Sequence, residues 1–80
     1  MEKQEIYAKL TGVFQDVFDD ESIVVQPELS AKDVDEWDSL AHIRVMLTVE
    51  KAFGIEFSTS EIGKLKNVGE LVELVRSKTS

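Results

Sequence analysis

The sequence predicts an all-α fold, a four-helix bundle with a long first loop and a short third helix. Three observations carry that prediction. Apolar residues recur at three- and four-residue steps in long stretches, helix-capping residues stand at the head of three segments, and the one run that looks like a strand has no second strand to pair with. Eighty residues with 42% hydrophobic content suffice for one modest core, because surface dominates volume at this size, so residues 1–80 are expected to form a single domain.

Ile6, Leu10, Val13, Phe14, Val17 and Phe18 fall on one stripe and predict a first helix over residues 3 to 18, weakened slightly by Gly12. From Asp19 to Trp37 the periodicity is broken by Pro27, the only proline, and by scattered acids. Ile23, Val24, Val25, Leu29, Val34 and Trp37 supply apolar points that pin this segment to a core, which predicts an anchored loop. A second helix is expected to open at Asp38 or Ser39, both good N-cap types, and to stop at Phe53, with Gly54 in the left-handed position beyond its end. Ser58 followed by Glu61 reads as a capping box for a short third helix through Leu65. Asn67 followed by Glu70 reads as a similar start for a last helix that carries Leu71, Val72, Leu74 and Val75.

The charge pattern and the missing residue types narrow the function. Nine basic and sixteen acidic residues give a net charge of −7, which disfavours nucleic acid and anionic membrane and favours partners with basic surfaces. Nine of the acids lie between Gln15 and Asp38 with a single base, Lys32, so the negative field is concentrated on the approach to Ser39. With no cysteine, neither a disulfide framework nor a thiolate nucleophile or metal site can be built, and any thiol chemistry must be imported. The segment Met1 to Leu10 is charged and helical in pattern, unlike a secretory leader, and no stretch is long and apolar enough to insert in a membrane. A cytoplasmic monomer is expected.

Few residues offer catalysis. His42 is the only histidine, and its place one turn after Ser39 lacks the orienting acid and oxyanion site that a nucleophile requires, so it is expected at the core edge or in solvent. Asp33, Asp35 and Asp38 lack the glycine and glutamate of a calcium loop, whose twelfth position here is Arg44, and no metal site is expected. Ser39 is different. A hydroxyl at a helix N-terminus faces unpaired N–H groups and the positive end of the helix dipole, so a phosphodiester esterified there is electrostatically favoured.

The run Trp37-Asp38-Ser39-Leu40, followed by Ile43, Leu47, Glu50 and Phe53-Gly54-Ile55, resembles the Asp-Ser-Leu region of acyl carrier and peptidyl carrier proteins. The resemblance extends over the whole chain, including the last helix introduced by Lys66-Asn67-Val68-Gly69-Glu70. It implies that a phosphopantetheinyl transferase moves 4'-phosphopantetheine from coenzyme A onto Ser39, and that cargo-loading and cargo-processing enzymes then act on a group held as a thioester. The chain is then no enzyme; catalysis belongs to its partners.

At about 100° per residue, Ala41, Val45, Met46, Val49, Ala52 and Phe53 share the side of the second helix expected to face the core. Phe53→Ala is accordingly expected to cost about 3–5 kcal/mol. Leu40, Ile43 and Leu47 fall on the other side among Arg44, Glu50 and Lys51, and with Asp38 they form the candidate docking face, unless the apolar strip packs on the third helix near Ile62 and Leu65. Ser39 to Phe53 carries a net +1, whereas many fatty-acid carriers are strongly acidic along this helix. The resemblance is therefore nearer to discrete carriers of specialised pathways than to a housekeeping fatty-acid carrier or a D-alanyl carrier. From another class, an unmodified helical adaptor would use the same loop and strip for binding alone.

Overall fold

Among the described residues the regular structure is four helices: α1 (Lys3–Phe18), α2 (Ser39–Phe53), α3 (Thr59–Lys64) and α4 (Val68–Thr79). The structure is a computed structural model and describes residues 2–79, so Met1 and Ser80 of the expected 1–80 domain lie outside the described residues. No described helix is long and apolar enough to cross a membrane.

Helical periodicity converts directly into burial on α1. Ile6, Leu10 and Phe14 are completely buried, and α1 packs against both α2 and α4. The facing residues are Val45, Met46 and Val49 from α2 and Val68, Leu71, Val72 and Val75 from α4. The loop adds Val25, Val34 and Trp37 to the same core. Phe14 sits at the centre of an aromatic group, with its ring edge-on to Trp37 at 5.1 Å and tilted against Phe18 at 5.9 Å.

Two expectations about the core are corrected. Val24 is 62% exposed, because only Val25 of the Ile23–Val25 run turns fully inward. Ala52 is also exposed and Phe53 only half-buried. The buried arc of α2 is narrower than the apolar arc of its sequence, and the Phe53 ring lies at its edge, with the Lys9 ammonium 5.3 Å from the ring centre.

The long loop is held near its start and again near its middle. The Gln15 side-chain amide donates to the carbonyls of Glu21 and Ile23, at 3.2 and 2.9 Å. Farther along, the carbonyls of Pro27 and Leu29 accept from the backbone N–H groups of Gly69 and Val68, at 3.0 and 2.9 Å. These two donors belong to the first turn of α4, where a helix has no partners of its own. A side chain at residue 69 would crowd this contact, since a Cβ there would lie 3.1 Å from the Pro27 oxygen. The start of α4 also differs in detail from the expected reciprocal cap. Asn67 accepts from the Glu70 N–H as anticipated, but the Glu70 carboxylate reaches one residue further back, to the N–H of Lys66.

The third helix is short and buries no side chain fully. Its N-terminus has the capping box read from the sequence: Ser58 Oγ accepts from the Glu61 N–H, and Glu61 accepts from the Ser58 N–H. The Lys78 ammonium of α4 lies 3.1 Å from the same Glu61 carboxylate. The Ser58 backbone hydrogen bond, followed by that from Lys78, holds the Glu61 carboxyl below the usual carboxylate range, with desolvation opposing them. Because its folded pKa is depressed, its contribution to α3 is fully present above the ordinary carboxylate range and is lost as pH falls through the folded value. An NMR titration of the Glu61 carboxyl in wild type and Lys78→Ala should show the midpoint rising in the variant. An unchanged midpoint would count against the ion pair as a tie between α3 and α4.

Candidate functional site

The chain enters α2 through Asp38, whose backbone is extended and whose carboxylate accepts from the Ala41 N–H at 2.9 Å. This cap makes Ser39 the first residue of the helix and leaves it exposed. Its hydroxyl has no hydrogen-bond partner among the described residues. Beside it opens a cleft of about 510 Å³, whose walls include Trp37, His42, Ile43, Ile62 and Lys66. At the other end of α2, Gly54 takes the left-handed conformation at φ 66° and its N–H closes on the Glu50 carbonyl.

His42 braces the wall of this cleft. The Trp37 indole N–H donates to its Nδ1 at 3.1 Å, and its Nε2 lies 3.0 Å from the carbonyl oxygen of Ile62. An indole only donates and a carbonyl only accepts, so these partners assign a neutral imidazole with its proton on Nε2. The ring also stacks on Trp37, with centres 6.0 Å apart. His42 is thus a core-edge residue that joins the loop, α2 and α3. Both of its nitrogens are bonded elsewhere, and neither is available to take a proton from Ser39.

His42→Ala leaves the buried indole N–H and the Ile62 carbonyl without this partner, and is expected to cost about 1–3 kcal/mol. Urea denaturation followed by Trp37 fluorescence measures this. A change within about 0.5 kcal/mol, the level of an ordinary surface substitution, would show that water replaces the imidazole without penalty.

The candidate docking residues fall into three groups. Leu40, Arg44, Leu47 and Lys51 are exposed on the outer side of α2. Ile43 is 48% exposed but lines the cleft with Ile62 and Leu65, as expected if part of the strip faces the third helix. The carboxylates of Asp38 and Glu50 serve the fold: Asp38 caps α2, and Glu50 accepts from the Phe57 N–H at 2.6 Å, fixing the turn that leads into α3. Sequence spacing had no means of revealing the bonds of His42 and Glu50. Their partners lie 20 and 7 residues along the chain, beyond a helix end.

Residues 5–75 match the family described as the phosphopantetheine attachment site. An acyl carrier protein of Acidothermus cellulolyticus is 32% identical over 79 residues, covering 99% of this chain and 94% of that protein. The chain belongs to the acyl carrier protein family. Another acyl carrier protein, from Coprothermobacter proteolyticus, is 30% identical over 96% of this chain and 94% of its own length. The solution NMR structure of holo acyl carrier protein from Geobacter metallireducens superimposes with a TM-score of 0.84 at 47% identity, covering 90% of this chain and 83% of that one. The covalent cofactor of this acyl carrier protein is 4'-phosphopantetheine. The start of α2 fits such a group: an exposed hydroxyl, the positive end of a helix dipole, and a cleft that combines apolar walls with the ammonium-bearing Lys66.

Proposed function

We propose that this chain is a stand-alone acyl carrier that bears its phosphopantetheine on Ser39, works as a cytoplasmic monomer, and serves a specialised biosynthetic pathway. The observation that carries the attachment site is the exposed, unbonded Ser39 hydroxyl at the N-terminus of α2, at the mouth of the cleft. A phosphopantetheinyl transferase, with coenzyme A as donor, esterifies this hydroxyl. The attached arm supplies the thiol that a chain without cysteine lacks, and holds cargo on it as a thioester.

The chain's own residues anchor and shelter. Ser39 fixes the arm covalently, the α2 terminus turns its dipole toward the phosphodiester, and Lys66 offers a counter-charge. Trp37, Ile43 and Ile62 present apolar surface along the cleft, and His42 keeps two of its walls together. No group here activates a bond in the cargo, so turnover is the work of partner enzymes. The specialised reading is favoured by α2, whose net charge of +1 sets it apart from the chain's overall −7.

The test is incubation with coenzyme A and a transferase of broad specificity, followed by intact mass and peptide mapping. One phosphopantetheinyl mass on the peptide that holds Ser39 is expected, and modification at another residue would overturn the assignment. Analysis of the thioester released from natively isolated protein then reports the cargo. An ordinary fatty-acid intermediate would defeat the specialised-pathway reading and leave Ser39 untouched.

A further inference from the structure

The outward side of α2 carries a regular alternation. Leu40, Arg44, Leu47 and Lys51 follow one another at steps of four, three and four residues, which places them within roughly 60° of arc along about 16 Å of helix. This row lies opposite the buried side formed by Val45, Met46 and Val49. Leu40 is 74% and Leu47 51% exposed, a high figure for two leucines on one helix of so small a protein. Arg44 and Lys51 are exposed as well, and among the described residues neither forms an ion pair.

The sign of this surface is set by what the helix has withdrawn from it. Glu50 is the only acid between Ser39 and Phe53, and its carboxylate is held by the Phe57 N–H. The Asp38 carboxylate is folded back onto the Ala41 N–H. The loop acids gather elsewhere, where Asp20, Asp33, Asp35 and Glu36 line a separate cavity. A protein of net charge −7 therefore presents on this row two leucines and two uncompensated cations.

We propose that the Leu40, Arg44, Leu47, Lys51 row docks an enzyme partner whose own patch is an apolar depression rimmed by carboxylates, opposite in sign to the partner that the net charge alone would select. The proposal rests on the carrier reading for the partner being an enzyme that acts on the arm. The leucines provide contact area and the cations provide register. A basic partner patch is disfavoured here by like charge at contact, so the row selects partners as well as binding them.

The probe is a pair of amphipathic helical peptides with the same leucine face, one bearing glutamates and the other lysines on the remaining faces, titrated into ¹⁵N-labelled phosphopantetheinylated protein. A neutral glutamine version serves as reference. The glutamate peptide is expected to shift the amides around Arg44 and Lys51 and to bind more weakly as salt rises. Its affinity should fall roughly three- to tenfold in the Arg44→Glu, Lys51→Glu double variant, as two exposed charge contacts imply. The lysine peptide should bind at the loop acids and gain the α2 row only in the double variant. Equal affinity for the glutamate and glutamine peptides, binding of the lysine peptide to the wild-type row, or no shift on α2 would each overturn the proposal. Circular dichroism verifies that the variant is folded. Phosphopantetheinyl mass at Ser39, measured on the same samples, reports independently on the carrier reading: its absence sinks that reading whatever the peptides do.

Discussion

Ser39→Ala is expected to abolish phosphopantetheine loading while leaving the helical content unchanged. The loss should be complete, because Ser39 alone stands in the Asp38-Ser39-Leu40 run at the head of α2; Thr59 and Ser60, also exposed, open only the six-residue α3, and several other hydroxyls are engaged. Ser58 Oγ accepts from the Glu61 N–H, Ser22 Oγ is hydrogen-bonded to Asp20 at 2.6 Å, and Thr48 and Thr79 bond back to carbonyls of their own helices. The fold should survive, since the cap of α2 is the carboxylate of Asp38 and the Ser39 hydroxyl contributes no bond to it. Intact mass before and after incubation with coenzyme A and transferase reads the first part, and far-ultraviolet circular dichroism the second. A mass gain in the alanine variant would move the attachment site elsewhere. Loss of helical signal would give Ser39 a structural role that its exposure does not indicate.

The second large effect belongs to the core. Phe14→Ala removes a completely buried ring of α1 that packs against Trp37 of the loop and Phe18. The expected cost is about 3–5 kcal/mol, a large fraction of the stability a domain of this size has, so the variant should be unfolded or molten at room temperature. Phe53→Ala, expected from periodicity to cost as much, should cost clearly less, because the ring is half-buried at the helix edge and part of its surface already faces Lys9 and solvent. Thermal or urea denaturation of the two variants side by side ranks them. Equal losses would show that the aromatic group around Trp37 is not the centre of the core.

The comparison of these phenylalanines also marks where sequence reading succeeds. Helix ends were legible because their signals are local: Asp38 before Ser39, Ser58 three residues before Glu61, and Gly54 at a positive φ each act within one turn. The buried stripe of α1 was legible because its central residues are covered from both α2 and α4. Periodicity failed at Ala52 and Phe53, where an apolar arc continues past the neighbours that could cover it. Ser39 stood out through its position at a helix N-terminus and through the residues around it. The net +1 of α2 could be counted from the sequence, but the place of the Glu50 carboxylate could not, because it is set by an N–H seven residues away. The bridge from Trp37 through His42 to Ile62 was hidden for the same reason, since it closes only when α3 folds back on α2.

The carbonyls of Pro27 and Leu29 that receive the first N–H groups of α4 have a kinetic meaning. A loop of this length would ordinarily open and close on its own, as one of the least protected parts of a small protein. Here its lifting strips two donors in the first turn of α4 of their partners, and fraying of that turn releases two of the points that hold the loop down. The two motions are therefore coupled, each making the other easier. The segment richest in acidic residues and the helix that closes the bundle thus share a contact, and a partner that grips one of them is expected to restrain the other.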